Sequence, residues 1–357
     1  MRLSQVVTAL LLLSIVTTAY TLWRGDTVQD INARWEVSGH ADETSRAFTH
    51  WDDDDPPVVP AACARCHSQP GFIDYIRADV IRDHPIGSVI SCNACHNTAL
   101  DGVTNAFFPS GVEVTGLGAE VSCMQCHQGR NSTVSVERAI SPDNERLPLD
   151  DVHEGLGFIN VHYKIAGASL MGSVTMGAYQ YPDRDYVGQF EHAAYVQTCT
   201  DCHDAHTLHV DARACAPCHL NVVDRGDIVD IRMTPGGLTD GGIRGEIDVM
   251  AEALYRAIQD YTVEVMDTHV VYAPDTFPYF FIDLDEDGEV SPGEAAFPNR
   301  LQTWTPRLLR AAYNLNFVYR DPGIHVHNAR YALQFLYDSI EDLSEVVPVD
   351  MTGMMRP

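Results

Sequence analysis

Five copies of the pattern Cys-x-x-Cys-His are the residues of this chain whose spacing points most directly to chemistry. Two cysteines three positions apart, followed at once by a histidine, are the attachment signature of a c-type haem. Each thiol adds to one haem vinyl group, and the histidine ligates the iron. The motifs are Cys63, Cys66 and His67; Cys92, Cys95 and His96; Cys123, Cys126 and His127; Cys199, Cys202 and His203; and Cys215, Cys218 and His219.

These motifs use all ten cysteines, which leaves no thiol for a disulfide or a separate metal site. Zinc also binds paired cysteines, but it does not require a histidine directly after the second one. With 16 histidines among 357 residues, chance would place a histidine there about one time in twenty. Five of five therefore favours haem over zinc, and the sequence predicts five covalent haem c groups.

The sixth coordination position of each iron decides how a haem behaves. A second histidine keeps the iron six-coordinate and low in potential, methionine raises the potential, and an open position admits a substrate. Eleven histidines lie outside the motifs, so the default prediction is two histidine ligands at each iron. Sequence context favours six distal candidates, which are His40, His153, His162, His192, His206 and His327.

Each candidate is selected as a distal ligand for a different reason, based on its position along the chain. His206 follows His203 by three residues, too close to reach the far face of its own haem but able to reach a neighbouring one. His192 precedes the fourth motif on a predicted helix. His153 and His162 lie in the long gap between the third and fourth motifs. We expect His40 at a helix start and His327 at the opening of the last helix.

A second constellation is acidic and runs from Asp283 to Glu294. It matches the EF-hand calcium loop at positions 1, 3, 5, 6, 9 and 12, with alternating oxygen ligands, a glycine at the sharp turn and a terminal glutamate. An acidic surface turn is the alternative in so acidic a chain. The preceding FPYFF does not read as an entering helix, so we expect one structural Ca²⁺ site rather than a paired sensor. The predicted ligands are Asp283, Asp285, Asp287, Glu289, Ser291 and Glu294.

Three regions must position these residues. Residues 1–24 contain 21 uncharged residues between Arg2 and Arg24, which suits either a signal peptide or an N-terminal membrane anchor. Residues 25–220 hold the five motifs as a pentahaem domain. Residues 221–357 form a helical C-terminal cap that carries the calcium loop.

Helical periodicity is clearest in the C-terminal region. We predict helices at 301–319 and 328–343, separated by a turn at 321–323, and a further helix at 35–51. Another helix is predicted by an apolar stripe at helical spacing, which consists of Ile247, Met250, Leu254, Ile258 and Tyr261. Acidic residues, among them Glu246, lie outside this stripe. The predicted fold class is mainly α with extensive loops and little β, in a multihaem cytochrome c architecture whose core is formed by the haems.

The charge balance is strongly acidic, with 50 Asp and Glu against 23 Lys and Arg, and Lys164 is the single lysine. Repulsion from phosphates excludes nucleic acid as a partner. An acidic surface can steer cationic redox partners, or it can be an adaptation to a saline habitat. Thioether attachment of haem belongs to the oxidising side of the membrane. We therefore expect an exported protein that is periplasmic, anchored facing outward, or extracellular.

Four phrases, SGHADE, CHQGR, CHDAHTL and VHNARYA, resemble exported multihaem c-type cytochromes. The resemblance consists of scattered short motifs between residues 35 and 345. It implies that His40, His206 and His327 are distal ligands and that closely spaced haems transfer electrons to redox partner proteins or an external acceptor. A filament of stacked copies is a variant of this expectation.

An enzyme is the competing class. Pentahaem nitrite reductases and hydroxylamine-oxidising relatives use one haem with an open distal site, and the former typically bind that haem through a lysine in place of the motif histidine. The chain has no Cys-x-x-Cys-Lys, and Lys164 lies outside every motif. The sequence thus favours an electron carrier. The alternatives are an oxidoreductase with one open haem and an anchored electron-transfer subunit of a respiratory complex.

Overall fold

The structure is a computed structural model, and it describes residues 26–194, 196–220, 222 and 228–357. These residues are mainly helical with long loops, and their sheet is confined to three two-stranded antiparallel pairs. The expectation of a mainly α fold with little β is confirmed. The predicted signal peptide or anchor at residues 1–24 lies outside the described residues. Within the described ranges, no helix has the length and apolar character needed to cross a bilayer.

The chain divides into two compact units. The first comprises residues 1–100 and 203–210, and the second comprises residues 101–202 and 211–357. The boundary therefore falls inside the fourth motif, between Cys202 and His203. These units reflect contacts within the polypeptide, so the predicted division into a pentahaem domain (25–220) and a C-terminal cap (221–357) stays a prediction.

The described part of the first unit is built from short elements. One cluster of its buried residues consists of Trp51, Val59 and Ala64, with Cys63 and Ile86 packed against it. The other buried apolar side chains described in this unit are Phe48, Phe72 and Ala94. Strand Val58–Val59 pairs with His84–Pro85. The helices are Val28–Trp35, Arg46–Thr49, Ala61–His67, Gln69–Ala78 and Cys92–Cys95.

Two of these helices meet at a tight junction. Ser68 ends helix Ala61–His67 and caps the next helix, because its hydroxyl accepts a hydrogen bond from the Gly71 amide at 3.4 Å. A Cβ at Gly71 would lie 2.5 Å from the Ala64 carbonyl oxygen. Only glycine permits this approach, which packs the helix after the first motif closely against the helix that carries it.

The predicted helix at 35–51 is wrong. Helix Val28–Trp35 ends at Trp35, a run of turns follows, and helix Arg46–Thr49 begins only after Ser45. Side chains compete with the helical backbone here, since the Asp42 carboxylate accepts from both the amide and the hydroxyl of Thr44. Short polar side chains favour such turns over a continuous helix.

The second unit is larger and mainly helical in its described residues. Strand Asn105–Phe107 pairs with Glu113–Thr115, and Val270–Tyr272 pairs with Phe280–Ile282. The helices are Val121–Met124, Thr133–Ile140, Ala166–Met171, Cys199–Cys202, Gly242–Met266, Pro306–Arg320, Ile324–His327 and Ala329–Ser344. The two predicted C-terminal helices and the turn between them are thus confirmed, with boundaries shifted by a few residues.

Three long helices, Gly242–Met266, Pro306–Arg320 and Ala329–Ser344, pack together as the core of the second unit. Every residue of Pro306–Arg320 except Tyr319 is buried. The predicted apolar stripe lies on Gly242–Met266 and is fully buried. The expectation that Glu246 lies off the buried face is wrong, because its carboxylate is buried and accepts hydrogen bonds from the Met233 and Thr234 amides.

Candidate functional site

Short helical turns position four of the five motifs. Helix Ala61–His67 carries the first, Cys92–Cys95 the second, Val121–Met124 begins the third and Cys199–Cys202 holds the fourth pair of cysteines. Residues three apart lie on one face of a helix, so one turn directs both thiols of a motif to the same side. That is the arrangement needed to hold two vinyl groups on one edge of a haem.

Hydrogen bonds orient the motif histidines. In three of them the ring nitrogen Nδ1 bonds a backbone carbonyl oxygen, which makes Nδ1 the proton-bearing nitrogen and Nε2 the nitrogen with the lone pair that a metal requires. In a fourth the acceptor is a carboxylate. The pairs are His67 with Ala47 at 2.8 Å, His127 with Lys164 at 2.8 Å, His203 with Leu208 at 2.9 Å, and His219 with Asp230 at 3.4 Å.

Two of the predicted distal histidines lie opposite motif histidines. The ring centroids of His96 and His206 are 6.3 Å apart with planes inclined by 13°, and those of His192 and His219 are 6.0 Å apart at 29°. A metal bound to both Nε2 atoms at about 2 Å would place the centroids roughly 6 Å apart. Ordinary aromatic contacts span similar distances, so the distance alone does not indicate a metal site. The supporting observation is that each contact joins a motif histidine to a predicted distal histidine.

A self-closed loop presents His206. The Asp204 carboxylate accepts hydrogen bonds from the His206 and Thr207 amides at 3.1 and 2.7 Å. The Leu208 amide bonds back to Asp204, and the carbonyl of Leu208 receives Nδ1 of His203. One loop of the first unit therefore fixes both the motif histidine of the fourth haem site and the ring that faces His96.

The other candidates have separate surroundings. His40 lies in the run of turns at 36–45, and His192 lies in a loop, so the helices predicted for both are wrong. His153 donates its amide to the Trp304 carbonyl at 3.1 Å, and its Nε2 is buried without a hydrogen-bond partner. His162 has a positive φ of 82°. As haem ligands, all these residues remain predictions.

His327 bonds a carboxylate, whereas three of the motif histidines bond neutral backbone carbonyl oxygens. Its Nδ1 lies 2.9 and 2.8 Å from the two carboxylate oxygens of Asp321, which is buried. Burial raises the pKa of the Asp321 carboxyl, but the hydrogen bond and charge of His327 outweigh it and hold that pKa below its ordinary value. His327 ends the short helix Ile324–His327, directly before the last helix, as the sequence predicts.

Attachment motifs approach one another in the second unit. The thiol of Cys199 hydrogen-bonds Cys123 and lowers the pKa of the Cys123 thiol. Burial raises the pKa of Cys202, and the nearby Cys215 adds to the rise. The cysteines of the third and fourth motifs are therefore neighbours, and those of the fourth and fifth lie close enough to interact.

The acidic loop after strand Phe280–Ile282 has the geometry of a cation site. Carboxylate oxygens of Asp283, Asp285 and Asp287 lie within 4.8 Å of one another. Gly288 takes a positive φ of 81°, and its amide donates to Asp283 at 2.9 Å. The sharp turn required at position 6 is thus made by glycine.

The end of this loop closes onto its start. The buried Glu294 carboxylate accepts hydrogen bonds from the Leu284 and Ser291 amides, each at 2.7 Å. Glu289 donates its amide to the Asp287 carboxylate. A strand rather than a helix enters the loop, which agrees with the sequence expectation. Three carboxylates converge and the turn is correct, so the residues fit a Ca²⁺ ion, whose binding remains a prediction.

Sequence reasoning missed the groups that hold the histidine rings. Three are backbone carbonyl oxygens, which carry no signal of residue type. Asp230 and Asp321 carry such a signal, since each is an aspartate within a dozen residues of its histidine, but the acidic composition concealed it. These acceptors can be found only once the loops are folded.

Comparison with known proteins gives two informative similarities. Over 379 residues the chain is 25 % identical to the C-type polyheme cytochrome OmcC of Geobacter sulfurreducens, covering 85 % of this chain and 45 % of that protein. It is also 25 % identical over 377 residues to the C-type polyheme cytochrome OmcB of the same species, covering 84 % and 46 %. The chain spans about half the length of the curated relatives it matches.

No family model matches the chain, and no solved structure gives a significant match. The two similarities extend across most of the chain, and the relatives' names agree with its five Cys-x-x-Cys-His motifs. The chain is therefore similar to polyheme c-type cytochromes along most of its own length.

Proposed function

We propose that this protein carries five covalent haem c groups and transfers electrons through them, with two histidine ligands at most of the irons. The observation that carries the proposal is the pairing of His96 with His206 and of His192 with His219. Each pair joins a motif histidine to a histidine selected from sequence context. Random ring contacts would not be expected to select such partners twice.

The chain's own residues prepare these positions. When bound, the haem irons supply reversible one-electron transfer. The protein holds four of the five motif histidines through Nδ1, which leaves Nε2 as the nitrogen that would ligate the metal. His206 and His192 fill the opposite sides of the second and fifth sites. The distal ligands of the remaining three sites would come from four candidates, His40, His153, His162 and His327.

Close spacing of the sites supports transfer between them. His203 and His206 are three residues apart in one closed loop, so the ligand of one site is tied to the ligand of another. In the second unit the Cys199 thiol is near enough to lower the pKa of the Cys123 thiol, so two attachment points are neighbours. Closely spaced sites with a histidine on both sides of the metal are suited to conduction rather than to substrate access.

We also propose one structural Ca²⁺ ion, bound by Asp283, Asp285, Asp287, Glu289, Ser291 and Glu294. The convergence of three carboxylates and the Gly288 turn support it. Gln259 on the long helix donates to the Gly288 carbonyl at 3.1 Å. The ion would therefore fasten the strand Phe280–Ile282 and this helix together.

The proposal places the protein on the outer side of the membrane, since haem c attachment needs an oxidising compartment. Its partners would be redox proteins with cationic surfaces or an external electron acceptor. Self-association into a filament is a further form of the same function. Size-exclusion chromatography with light scattering separates a single copy from an assembly.

Electron paramagnetic resonance of the oxidised, haem-loaded protein tests the proposal, with haem content measured on the same sample. Five haems with low-spin, bis-histidine signals are expected. His206→Ala should convert one haem to high spin. His209→Ala is the matched control, because His209 lies in the same loop but faces no motif histidine among the contacts described, and it should leave the spectrum unchanged.

Fewer than five haems would contradict the attachment part of the proposal. A stoichiometric high-spin signal in the unaltered protein that shifts with nitrite or hydroxylamine would contradict the carrier function. It would support the oxidoreductase alternative, with one haem open to substrate. An unchanged spectrum in His206→Ala would remove His206 as a ligand.

A further inference from the structure

We propose that Asp321 lowers the reduction potential of the haem that His327 ligates. The inference rests on the proposed function, in which His327 is a distal iron ligand. Asp321 would be a positioning and tuning residue, since it touches the ligand and not the iron.

The geometry of the pair is direct. Nδ1 of His327 lies 2.8 and 2.9 Å from the Asp321 oxygens. Asp321 is 2 % exposed, so solvent does little to screen its charge. A Cβ at Gly323 would lie 2.7 Å from Cε1 of His327. The turn at 321–323 therefore both supplies the carboxylate and leaves room for the ring beside it.

The neighbouring arginine does not neutralise this carboxylate. The guanidinium of Arg320 lies 4.5 Å from the Tyr163 ring centroid and 4.2 Å from that of Tyr279. It donates to the Pro274 carbonyl at 2.9 Å. Asp321 accepts from Nδ1 of His327 and, at 3.1 Å, from the Gly323 amide. Neither donor carries a formal charge when His327 ligates a metal through Nε2, so the carboxylate keeps its negative charge beside that imidazole.

The motif histidines provide the contrast within one molecule. His67, His127 and His203 each bond a neutral backbone carbonyl through Nδ1. A carboxylate acceptor makes an imidazole a stronger electron donor to its metal than a carbonyl does. His219 is intermediate, because its carboxylate partner Asp230 is 3.4 Å away and more exposed.

Electrostatics sets the direction of the effect. Reduction adds one electron and converts Fe(III) to Fe(II), which removes one positive charge from the iron. A fixed negative charge behind the ligand stabilises the Fe(III) form more than the Fe(II) form. The potential of the site therefore falls, while sites ligated through carbonyl-bonded histidines lack this contribution.

Spectroelectrochemical titration of the haem-loaded full chain tests the inference. Asp321→Asn keeps an acceptor for Nδ1 but removes the charge. One of the five couples should move upward by about tenfold in its equilibrium constant, which is about 59 mV for one electron. The other four couples should stay in place, and all haems should remain low-spin.

Asp338→Asn is the matched control, because Asp338 is also a buried aspartate but pairs with Arg356 and Tyr186 instead of a histidine. It should move no single couple selectively. An equal shift in this variant would mean that any buried charge has the effect, and would overturn the specific role of Asp321.

His327→Met separates the inference from the proposed function. If it changes the ligation signature of one haem but Asp321→Asn moves no couple, the tuning role is overturned and the electron-transfer function stands. If His327→Met leaves every haem unchanged, His327 is not a ligand and the inference fails.

If the Asp321→Asn variant does not load haem, Asp321→Glu is the substitute test, because it displaces the carboxylate while keeping its charge. A smaller upward shift of the same couple is then expected, and unchanged potentials would overturn the inference.

Discussion

The first unit and the helical part of the second differ in how much of their core the polypeptide supplies. In the first unit the central cluster consists of Trp51, Val59 and Ala64. In the second, three long helices pack together, and Pro306–Arg320 is buried along almost its whole length. Few buried side chains hold the residues around the first two motifs, whereas the C-terminal helices form an ordinary hydrophobic core.

This difference separates two sources of stability. A helical core gains free energy from its own apolar side chains. A segment with so small a core needs additional staples, such as a bound group. Within the proposed function, the first two haems complete the core of the first unit. The following predictions test that contrast, beginning with the largest expected effect.

Removal of the first attachment site should affect the first unit most strongly. We expect Cys63→Ser with Cys66→Ser to lose one haem and to make residues 26–100 susceptible to limited proteolysis, because the small cluster around Trp51 cannot hold them alone. The C-terminal helices should remain resistant. Mass spectrometry of the fragments measures both, and a resistant first unit lacking its haem would contradict the contrast.

A cavity in the helical core should act in the opposite way. Leu254 is fully buried on Gly242–Met266, and Leu254→Ala should lower the free energy of unfolding by about 2–5 kcal/mol. Haem content should not change, because thioether bonds to the Cys-x-x-Cys-His motifs retain each haem and Leu254 lies outside those motifs. Thermal unfolding followed in the far ultraviolet, with haem absorbance as the second probe, checks this. Loss of haem at native temperature would break the comparison.

Calcium should stabilise the second unit alone. At a Ca²⁺ concentration 100 times its Kd, binding would contribute about 2.7 kcal/mol, so chelation should lower the Tm of the helical core. Asp285→Asn should abolish the response, since it removes one of the three convergent carboxylates. Asp275→Asn, outside the loop, serves as the control. A chelator effect that persists in Asp285→Asn would place the cation elsewhere.

The smallest expected effect concerns the helix junction of the first unit. Gly71→Ala places a methyl group against the Ala64 carbonyl and should cost about 1–3 kcal/mol. Gly39→Ala, where nothing lies within 4 Å, is the matched control. Occupancy of the first haem at limiting haem supply measures the difference. Equal occupancy in the two variants would show that this junction does not position the first motif.

Local patterns predicted the parts of the molecule that depend on local sequence. The motif histidines follow from Cys-x-x-Cys-His, and the stripe from Ile247 to Tyr261 follows from helical periodicity. The prediction of a helix at 35–51 was wrong because Asp42 and Ser45 favour turns and helix caps. The expectation that Glu246 lies off the buried face failed because its hydrogen-bond donors belong to residues 233 and 234, outside the helix.

Pairing of histidines across the chain was beyond local reasoning. His206 could be selected as a ligand for a neighbouring haem, but the second site could not be named as its partner. The contact between His96 and His206 depends on the folding of the loop at 203–210. The carbonyl oxygens that orient the rings depend on the same tertiary structure, since every residue has one.

The distance along the chain between His96 and His206 has a consequence for biogenesis. Domains generally fold from the N-terminus as synthesis proceeds, and the ring facing His96 lies about 110 residues further on. If His206 ligates the second haem, that site is complete only when residues 203–210 have followed the second motif across the membrane and folded. A haem attached there earlier would have an open sixth position, which the folding of the 203–210 loop closes.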